Sequence, residues 1–110
     1  MTRLADRACN ACRGASEPLR GERLAELAVQ VPEWDVEGEH HISRTFKFPN
    51  FLTALAFVNR VGDLAEREAH HPDIHLSWGK VKAELWTHKV GGLTDSDFIL
   101  AAKSDQLPTD

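Results

Sequence analysis

The chain has 110 residues, of which 42% are hydrophobic, and a formal net charge of -4. This length suits one domain, and a domain of this size can bury a workable core. The 13 Lys and Arg residues are scattered along the sequence, which argues against a nucleic-acid partner held by phosphate contacts. No apolar run is long enough for a membrane span, and the N-terminus lacks the apolar segment of a signal peptide, so a cytoplasmic protein is expected.

Residues 1–20 are predicted to form a flexible N-terminal tail, followed by one domain over residues 21–110. The tail contains Cys9 and Cys12 in a C-x-x-C spacing. Structural zinc takes four ligands, so these two cysteines are half a site. A tail without a function is favoured. The alternatives are metal binding or a subunit cross-link, completed by His40 or His41 or by a second chain.

Three elements are predicted in the first half of the domain. Apolar residues recur at helical spacing after Gly21 until Pro32 and predict a short amphipathic helix; they are Leu24, Leu27, Ala28 and Val31. Residues 34–36 and 41–48 then alternate in polarity on either side of Gly38, which predicts a hairpin. Arg44 falls on the apolar side of the second strand, an inconsistency that the sequence does not resolve.

The longest helix is predicted to begin after Asn50, its expected N-cap. Its apolar stripe is predicted to contain Phe51, Leu55, Val58, Gly62, Ala65 and Ala69. Glycine costs about 1 kcal/mol relative to alanine inside a helix, so Gly62 suggests the close approach of another element. Residues 73–78 and 81–86 alternate as a second pair of strands, and Gly79-Lys80 between them predicts a type II′ turn.

The last helix has the clearest start signal in the chain. Thr94 and Asp97 fit a capping box, and Leu93 with Phe98 fits a hydrophobic staple. The resulting order is α-β-β-α-β-β-α. It predicts an α+β domain in which the helices pack on one face of a four-stranded antiparallel sheet.

Three histidines, His70, His71 and His88, are the candidate functional residues. A histidine titrates near pH ~6.5 and can therefore donate or accept a proton at cellular pH. Pro72 disfavours helical dihedral angles at His71, so the chain is expected to leave a helix here. Glu66 precedes His70 by four residues and is expected to lie beside it. Spacing alone leaves ordinary surface histidines as the alternative.

The segment from Glu66 to Asp97 resembles the signature of the pterin-4a-carbinolamine dehydratase family. The matching residues are Glu66, His70-His71-Pro72-Asp73, Thr87-His88, Gly92-Leu93-Thr94 and Asp97, with Trp34 and residues 46–51 upstream. Family members often carry Glu-Trp after the proline, where this chain has Asp73-Ile74. They often carry a small hydroxyl residue two positions before the third histidine, where this chain has Trp86.

The resemblance implies an enzyme, a carbon-oxygen lyase that removes water from 4a-hydroxytetrahydrobiopterin to give quinonoid dihydropterin. This reaction recycles the cofactor of aromatic amino-acid hydroxylases. The implied catalytic residues are His70, His71 and His88, with His70 and His88 as a solvent-facing acid/base pair and His71 in binding. The implied substrate-binding residues are Ala69, His70, His71, Pro72, Trp86, Thr87, His88 and Lys89, and the supporting residues are Glu66 and Asp97. Neither a metal nor a cofactor is implied.

Several roles remain open beside this one. Asp97 is explained equally well as a helix cap and as a catalytic residue. Trp78 or Trp86 could flank the flat pterin ring, and His40, His41 and His75 are expected on solvated strand surfaces. Family members form dimers and tetramers, so a homodimer or homotetramer is expected. Some act as dimerisation cofactors of a homeodomain transcription factor, which leaves a non-catalytic role with a protein partner as the alternative function.

Overall fold

The computed structural model describes residues 3–7 and 17–109. A 3-10 turn at Leu4–Asp6 is followed by α1 (Gly21–Ala28), β1 (Asp35–Glu37), β2 (His41–Lys47), α2 (Phe51–Glu68), β3 (Asp73–Ser77), β4 (Lys80–Leu85) and α3 (Asp95–Asp105). The four strands form one antiparallel sheet in the order β1-β2-β4-β3. The predicted α+β class and element order are therefore confirmed.

The sheet alternates as a one-sided antiparallel sheet does. Every second residue of β2 and β4 faces the core, and the buried members include Ile42, Phe46, Val81, Ala83 and Leu85. The intervening residues of β3 and β4 are exposed or half-buried. The helices contribute most of the remaining core, chiefly from α2 and α3, and Val31, Trp34, Phe48 and Leu93 join it from the connecting segments. Among the described residues, no helix combines the length and the apolar character needed to cross a bilayer.

Arg44 occupies a core-facing position in the middle of β2, where it pairs with Ala83 of β4. Its guanidinium lies 4.3 Å from the ring centre of Phe46, and Nη1 lies 2.7 Å from Oδ1 of Asp105 in α3. The same carboxylate accepts a bond from Nε1 of Trp34 at 2.9 Å. Arg44 therefore joins the sheet to the last helix, which explains a charged residue on the apolar side of the strand.

The buried face of α2 differs from the predicted stripe. The buried residues are Ala54, Phe57, Val61, Leu64 and Ala65, whereas Phe51, Leu52 and Leu55 are 44%, 74% and 36% exposed. Ala65 was predicted correctly, but the rest of the buried face is displaced by about one position around the helix. The inference about Gly62 was also wrong, because a Cβ built on Gly62 would meet no atom within 4 Å.

The turn between β3 and β4 also differs from its prediction. Ser77 pairs with Lys80, so the two loop residues are Trp78 and Gly79 rather than Gly79 and Lys80. Gly79 does not have the positive φ of a type II′ turn. Glycine is required here for another reason: its carbonyl accepts a bond from Phe48 at 2.8 Å, and a Cβ would lie 3.0 Å from the Phe48 carbonyl.

The N-terminal residues that the structure describes contact the domain. Leu4 is buried and belongs to the core cluster, and the 3-10 turn lies against α3. Arg7 donates to Asp95 at 3.0 Å. Cys9 and Cys12 lie outside the described residues, and the boundary at residue 20 stays a prediction.

Candidate active site

The corner between α2 and β3 places two of the three histidines. Ala69 ends the helix in the left-handed conformation, with φ 54° and ψ 36°. This conformation turns the following residues away from the helix axis. The predicted pairing of Glu66 with His70 is therefore wrong, since it required the helix to continue. Glu66 lies beside His71 instead, 2.5 Å from its Nε2, and both side chains are largely exposed.

His70 is directed inward, toward the start of α3. Its Nε2 lies 2.6 Å from Oδ1 of Asp97, and the two side chains are 9% and 0% exposed. The expectation that His70 faces solvent was wrong for most of its side chain. The other oxygen of Asp97 accepts from the Thr87 hydroxyl at 2.8 Å and from the Thr94 amide at 2.9 Å. A buried network thus joins the ends of α2 and β4 to the first turn of α3.

This network determines which nitrogen of His70 carries hydrogen. An ionised carboxylate only accepts hydrogen bonds, so Nε2 of His70 must be the donor to Asp97. In a neutral imidazole the other nitrogen then has a free lone pair. No buried side-chain nitrogen or oxygen of the described residues lacks a partner. The described residues provide no partner for Nδ1 of His70. This nitrogen is therefore open to solvent and can accept a proton.

Asp97 is both a cap and a histidine partner. The capping box with Thr94 is complete, as predicted, and Leu93 and Phe98 are fully buried beside it. The same carboxylate holds His70 through its second oxygen. The geometry confirms the cap, and the contact with His70 is compatible with the catalytic role, which stays a prediction.

The third histidine follows β4 in a loop that returns on itself. Thr87 and Gly92 form a β-bridge, with the Thr87 amide donating to the Gly92 carbonyl at 2.7 Å. Glycine is required at position 92 because a Cβ would lie 2.6 Å from Cβ of Pro18. His88 is exposed, and its ring stacks on Trp86 with the centroids 4.5 Å apart and the planes 29° apart.

The histidines line one cavity of about 210 Å³. Its lining residues are Ala69, His70, His71, Trp86, Thr87, His88 and Lys89. Of the predicted binding residues, Pro72 alone is not in this lining; it borders a neighbouring cavity of about 440 Å³, which shares His71. Trp78 is not part of either lining and lies 68% exposed in the β3–β4 turn.

Two residues near the site were missed from the sequence. The rings of His40 and His41 lie 5.3 and 5.9 Å from that of Trp86. Sequence reasoning treated both as solvated surface residues. The signal was the antiparallel register: Ile42 pairs with Leu85, so the next residue along each strand, His41 and Trp86, must come together.

A carboxylate on the outer sheet face links two other histidines. Glu84 lies 2.7 Å from Nε2 of His75 and 3.5 Å from Nε2 of His41. The hydrogen bond from His75 lowers the pKa of Glu84, and the charge of Lys82 acts in the same direction. His75 is 60% exposed, so this pair belongs to the surface rather than to the cavity.

Comparison with known proteins points to one family. The family model described as pterin 4 alpha carbinolamine dehydratase matches residues 17–107. A protein of Rubrobacter xylanophilus is 53% identical over 107 residues, covering 97% of this chain and all of that protein. One from Alkaliphilus metalliredigens is 48% identical, covering 96% of each. Both are provisionally named pterin-4-alpha-carbinolamine dehydratase.

Solved structures agree with the fold. The crystal structure of a transcriptional coactivator/pterin dehydratase from Brucella melitensis has a TM-score of 0.75 and 31% identity, covering 81% of this chain and 96% of that one. A pterin dehydratase-like protein identified as a RuBisCO assembly factor shares the fold, with a TM-score of 0.58, 21% identity and coverage of 66% and 86%. The family match spans most of the chain and includes all three histidines. The chain therefore belongs to the pterin 4 alpha carbinolamine dehydratase family.

Proposed function

We propose that this protein removes water from 4a-hydroxytetrahydrobiopterin and releases quinonoid dihydropterin, without a metal or a cofactor. The C4a–O bond breaks, the proton on N5 leaves, and a C4a=N5 double bond forms, so that one water molecule is produced for each substrate. The reaction needs one group that protonates the departing hydroxyl and another that accepts the N5 proton. It would recycle the cofactor of aromatic amino-acid hydroxylases, and the compartment proposed is the cytoplasm.

The observation that carries the proposal is the pair of histidines in one cavity with different surroundings. His70 is buried against Asp97, with its lone pair on Nδ1, and His88 lies exposed at the rim. A base works best when a carboxylate stabilises the imidazolium that forms. We therefore assign His70 as the base toward N5 and His88 as the acid toward the leaving hydroxyl.

The other lining residues bind and orient the substrate in this proposal. His71 is exposed and paired with Glu66, a position suited to contact the polar edge of a pterin. Lys89 and Ala69 complete the wall beside the histidines. Pro72 lies outside the cavity, so in this proposal it does not touch the substrate and only directs the chain at His71.

The test is a stopped-flow measurement of the decay of the 4a-hydroxy species. Wild-type protein should accelerate it, and His70→Ala or His88→Ala should each lower the enzymatic rate by about 10²-fold or more. His75→Ala is the matched control, since His75 is also paired with a glutamate but lies outside the cavity. A wild-type protein that leaves the decay unchanged would exclude the enzymatic function.

We also propose that the protein is a homodimer or homotetramer. The exposed apolar residues at the start of α2, Phe51, Leu52 and Leu55, supply a surface that a second copy would bury. A non-catalytic assembly role with a protein partner is the second candidate. It is favoured by the Brucella melitensis relative, described as a transcriptional coactivator as well as a pterin dehydratase. Loss of turnover in His70→Ala with unaltered partner capture would separate the two roles.

A further inference from the structure

The three cavity histidines are held in different ways. His70 and His71 each contact a carboxylate, Asp97 and Glu66 respectively. For His88, the part of the chain that the structure describes supplies no side-chain hydrogen bond to the ring. Its one ring contact is the stack on Trp86, with 4.5 Å between centroids. The orientation of the His88 imidazole therefore depends on an aromatic neighbour rather than on an acid.

The stack forms where the chain leaves β4. Trp86 follows the last residue of the strand, and His88 lies two residues further on, in the turn that the bond from the Val90 amide to the Thr87 carbonyl closes at 3.1 Å. Trp86 is half-buried and His88 is exposed. An exposed histidine ring would ordinarily sample several rotamers. Contact with the broad indole face restricts the ring at little cost in desolvation.

The β1–β2 hairpin tip lies against the same tryptophan. His40 and His41 place their rings 5.3 and 5.9 Å from that of Trp86, and their Nδ1 atoms are 3.1 Å apart. The turn is well defined: Gly38 and Glu39 both have φ 57°, as in the primed turns of hairpins. The Glu39 carboxylate accepts a bond from the Gly21 amide at 3.1 Å, which ties the tip to α1.

We propose that Trp86 is a positioning residue for His88, and that His40 at the hairpin tip holds Trp86 in place. The inference rests on the proposed function and adds to it a chain of three rings, His40, Trp86 and His88. The role proposed for Trp86 is to fix the imidazole of His88, which its ring contacts at 4.5 Å, and not to cover the pterin.

The physical consequence is a contribution to turnover rather than to substrate affinity. A proton donor must lie within hydrogen-bond reach of the departing oxygen when the C4a–O bond breaks. A ring that rotates freely spends part of its time out of that position, and small misplacements of a reacting group can lower rates by up to 10²-fold. Loss of the stack should thus lower kcat with little change in KM.

The first test needs no substrate. In the free protein, the indole ring current should shift the ring proton resonances of His88 upfield, and Trp86→Leu should return them to ordinary positions. Trp86→Phe should retain a smaller shift, since an aromatic face remains. His40→Ala should reduce the shift in part, and Trp78→Leu, which removes the exposed tryptophan of the other hairpin, should leave it unchanged. Unshifted His88 resonances in the wild type would overturn the proposal.

The second test is kinetic and uses the same variants. Trp86→Leu should lower kcat by about tenfold to a hundredfold, with rescue in Trp86→Phe and KM close to that of the wild type. A raised KM with unchanged kcat would mean that Trp86 contacts the pterin, and would overturn the positioning role. If the wild type had no dehydratase activity but the His88 resonances shifted as expected, the ring stack would stand and the proposed function would fail.

Discussion

The carboxylate of Asp97 accepts hydrogen bonds from three parts of the chain. His70 follows α2, Thr87 follows β4, and Thr94 begins α3. An acid at the third position of a helix is normally explained by its cap alone. Here Oδ1 of Asp97 is not used by the cap and contacts His70, so the capping residue is also part of the candidate site.

Replacing Asp97 with asparagine should affect turnover far more than stability. The asparagine oxygen can still accept from Thr87 and Thr94, but its amide group would donate to Nε2 of His70. That bond would move the imidazole hydrogen to Nδ1 and remove the proposed base, so the rate should fall by at least about 10²-fold. The stability loss should be about 1 kcal/mol, from the weaker cap.

The measurement for Asp97→Asn is turnover together with chemical denaturation of the same preparation. Asp95→Asn is the matched control, because Asp95 lies in the same helical turn but pairs with Arg7 and Arg23. Asp95→Asn should retain near-normal turnover. Full activity in Asp97→Asn would contradict the assignment of His70 as the base.

Replacing Ala69 with glycine should stabilise the folded protein. The φ of Ala69, 54°, lies in the left-handed region, which disfavours residues with a Cβ by roughly 1–2 kcal/mol. Part of this gain is offset because glycine is freer in the unfolded chain, so Ala69→Gly should raise the free energy of unfolding by about 1 kcal/mol. Urea denaturation measures it. Ala65→Gly, inside the helix, should have the opposite sign.

At the residue scale, the three histidines were selected through the family resemblance, and their catalytic roles stay predictions. The capping box could be predicted from the sequence, because its signal is local. The pairing of His70 with Asp97 could not be, since it joins residues 27 positions apart. The Glu66–His70 error has a specific cause. Helices often end in a left-handed glycine, but position 69 is alanine, and the stop signal that the sequence carries, Pro72, is compatible with a helix that continues to His70.

At the element scale, α2 shows how a stripe can be misassigned. Phe51, Leu55 and Val58 recur at helical spacing and predict a buried face, but a second apolar row, Ala54, Phe57 and Val61, lies beside it. Periodicity alone cannot decide between two adjacent rows. The sheet buries the row with Phe57, whose ring lies 4.6 Å from that of Phe46.

The exposed apolar residues at the start of α2, Phe51, Leu52 and Leu55, predict self-association. Replacing Leu52 with glutamate should shift the protein toward the monomer, because a charge cannot be buried in an apolar contact without a large desolvation cost. Light scattering at micromolar concentration would measure the mass. Val29→Glu is the control, since Val29 in the α1 C-cap is equally exposed at 74%. A wild-type protein with the mass of a monomer would contradict the proposed oligomer.

The strands were predicted more accurately than the turn between the last two of them. Alternation of apolar residues determines which face of a strand is buried, and a shift by one residue would invert that face. Turn type depends on contacts outside the hairpin. Because Gly79 has no Cβ, the Phe48 backbone can approach it closely and donate a hydrogen bond to its carbonyl. This long-range contact left no local sequence signal.

At the scale of the whole molecule, two carboxylates should give opposite pH dependence of stability. Burial raises the pKa of Asp105 above its usual 3.8, against the effects of Trp34 and Arg44. The hydrogen bond from His75 lowers the pKa of Glu84 below its usual 4.5. The folded state thus binds the Asp105 proton more tightly than the unfolded chain does, and the Glu84 proton less tightly.

The two signs can be measured as differences in unfolding free energy across acidic pH. As the pH falls through the raised pKa of Asp105, the wild type should gain stability relative to Asp105→Asn, and the gain should level off near pH 3.8. Relative to Glu84→Gln, the advantage of the wild type should be complete above pH 4.5 and should be lost as the pH falls through the lowered pKa. If both differences in unfolding free energy changed with pH in the same direction, the opposite pKa shifts assigned to Asp105 and Glu84 would be contradicted.

For a designer who wished to transplant this arrangement to another scaffold, the three imidazoles would not be a sufficient unit. His70 has its hydrogen on a known nitrogen only because a helix begins at Thr94 and a strand ends near Thr87. The smallest arrangement that could be transferred to another scaffold is therefore a helix start and a strand end at a fixed separation. A search template built from histidines alone would accept scaffolds in which the proton resides on the wrong atom.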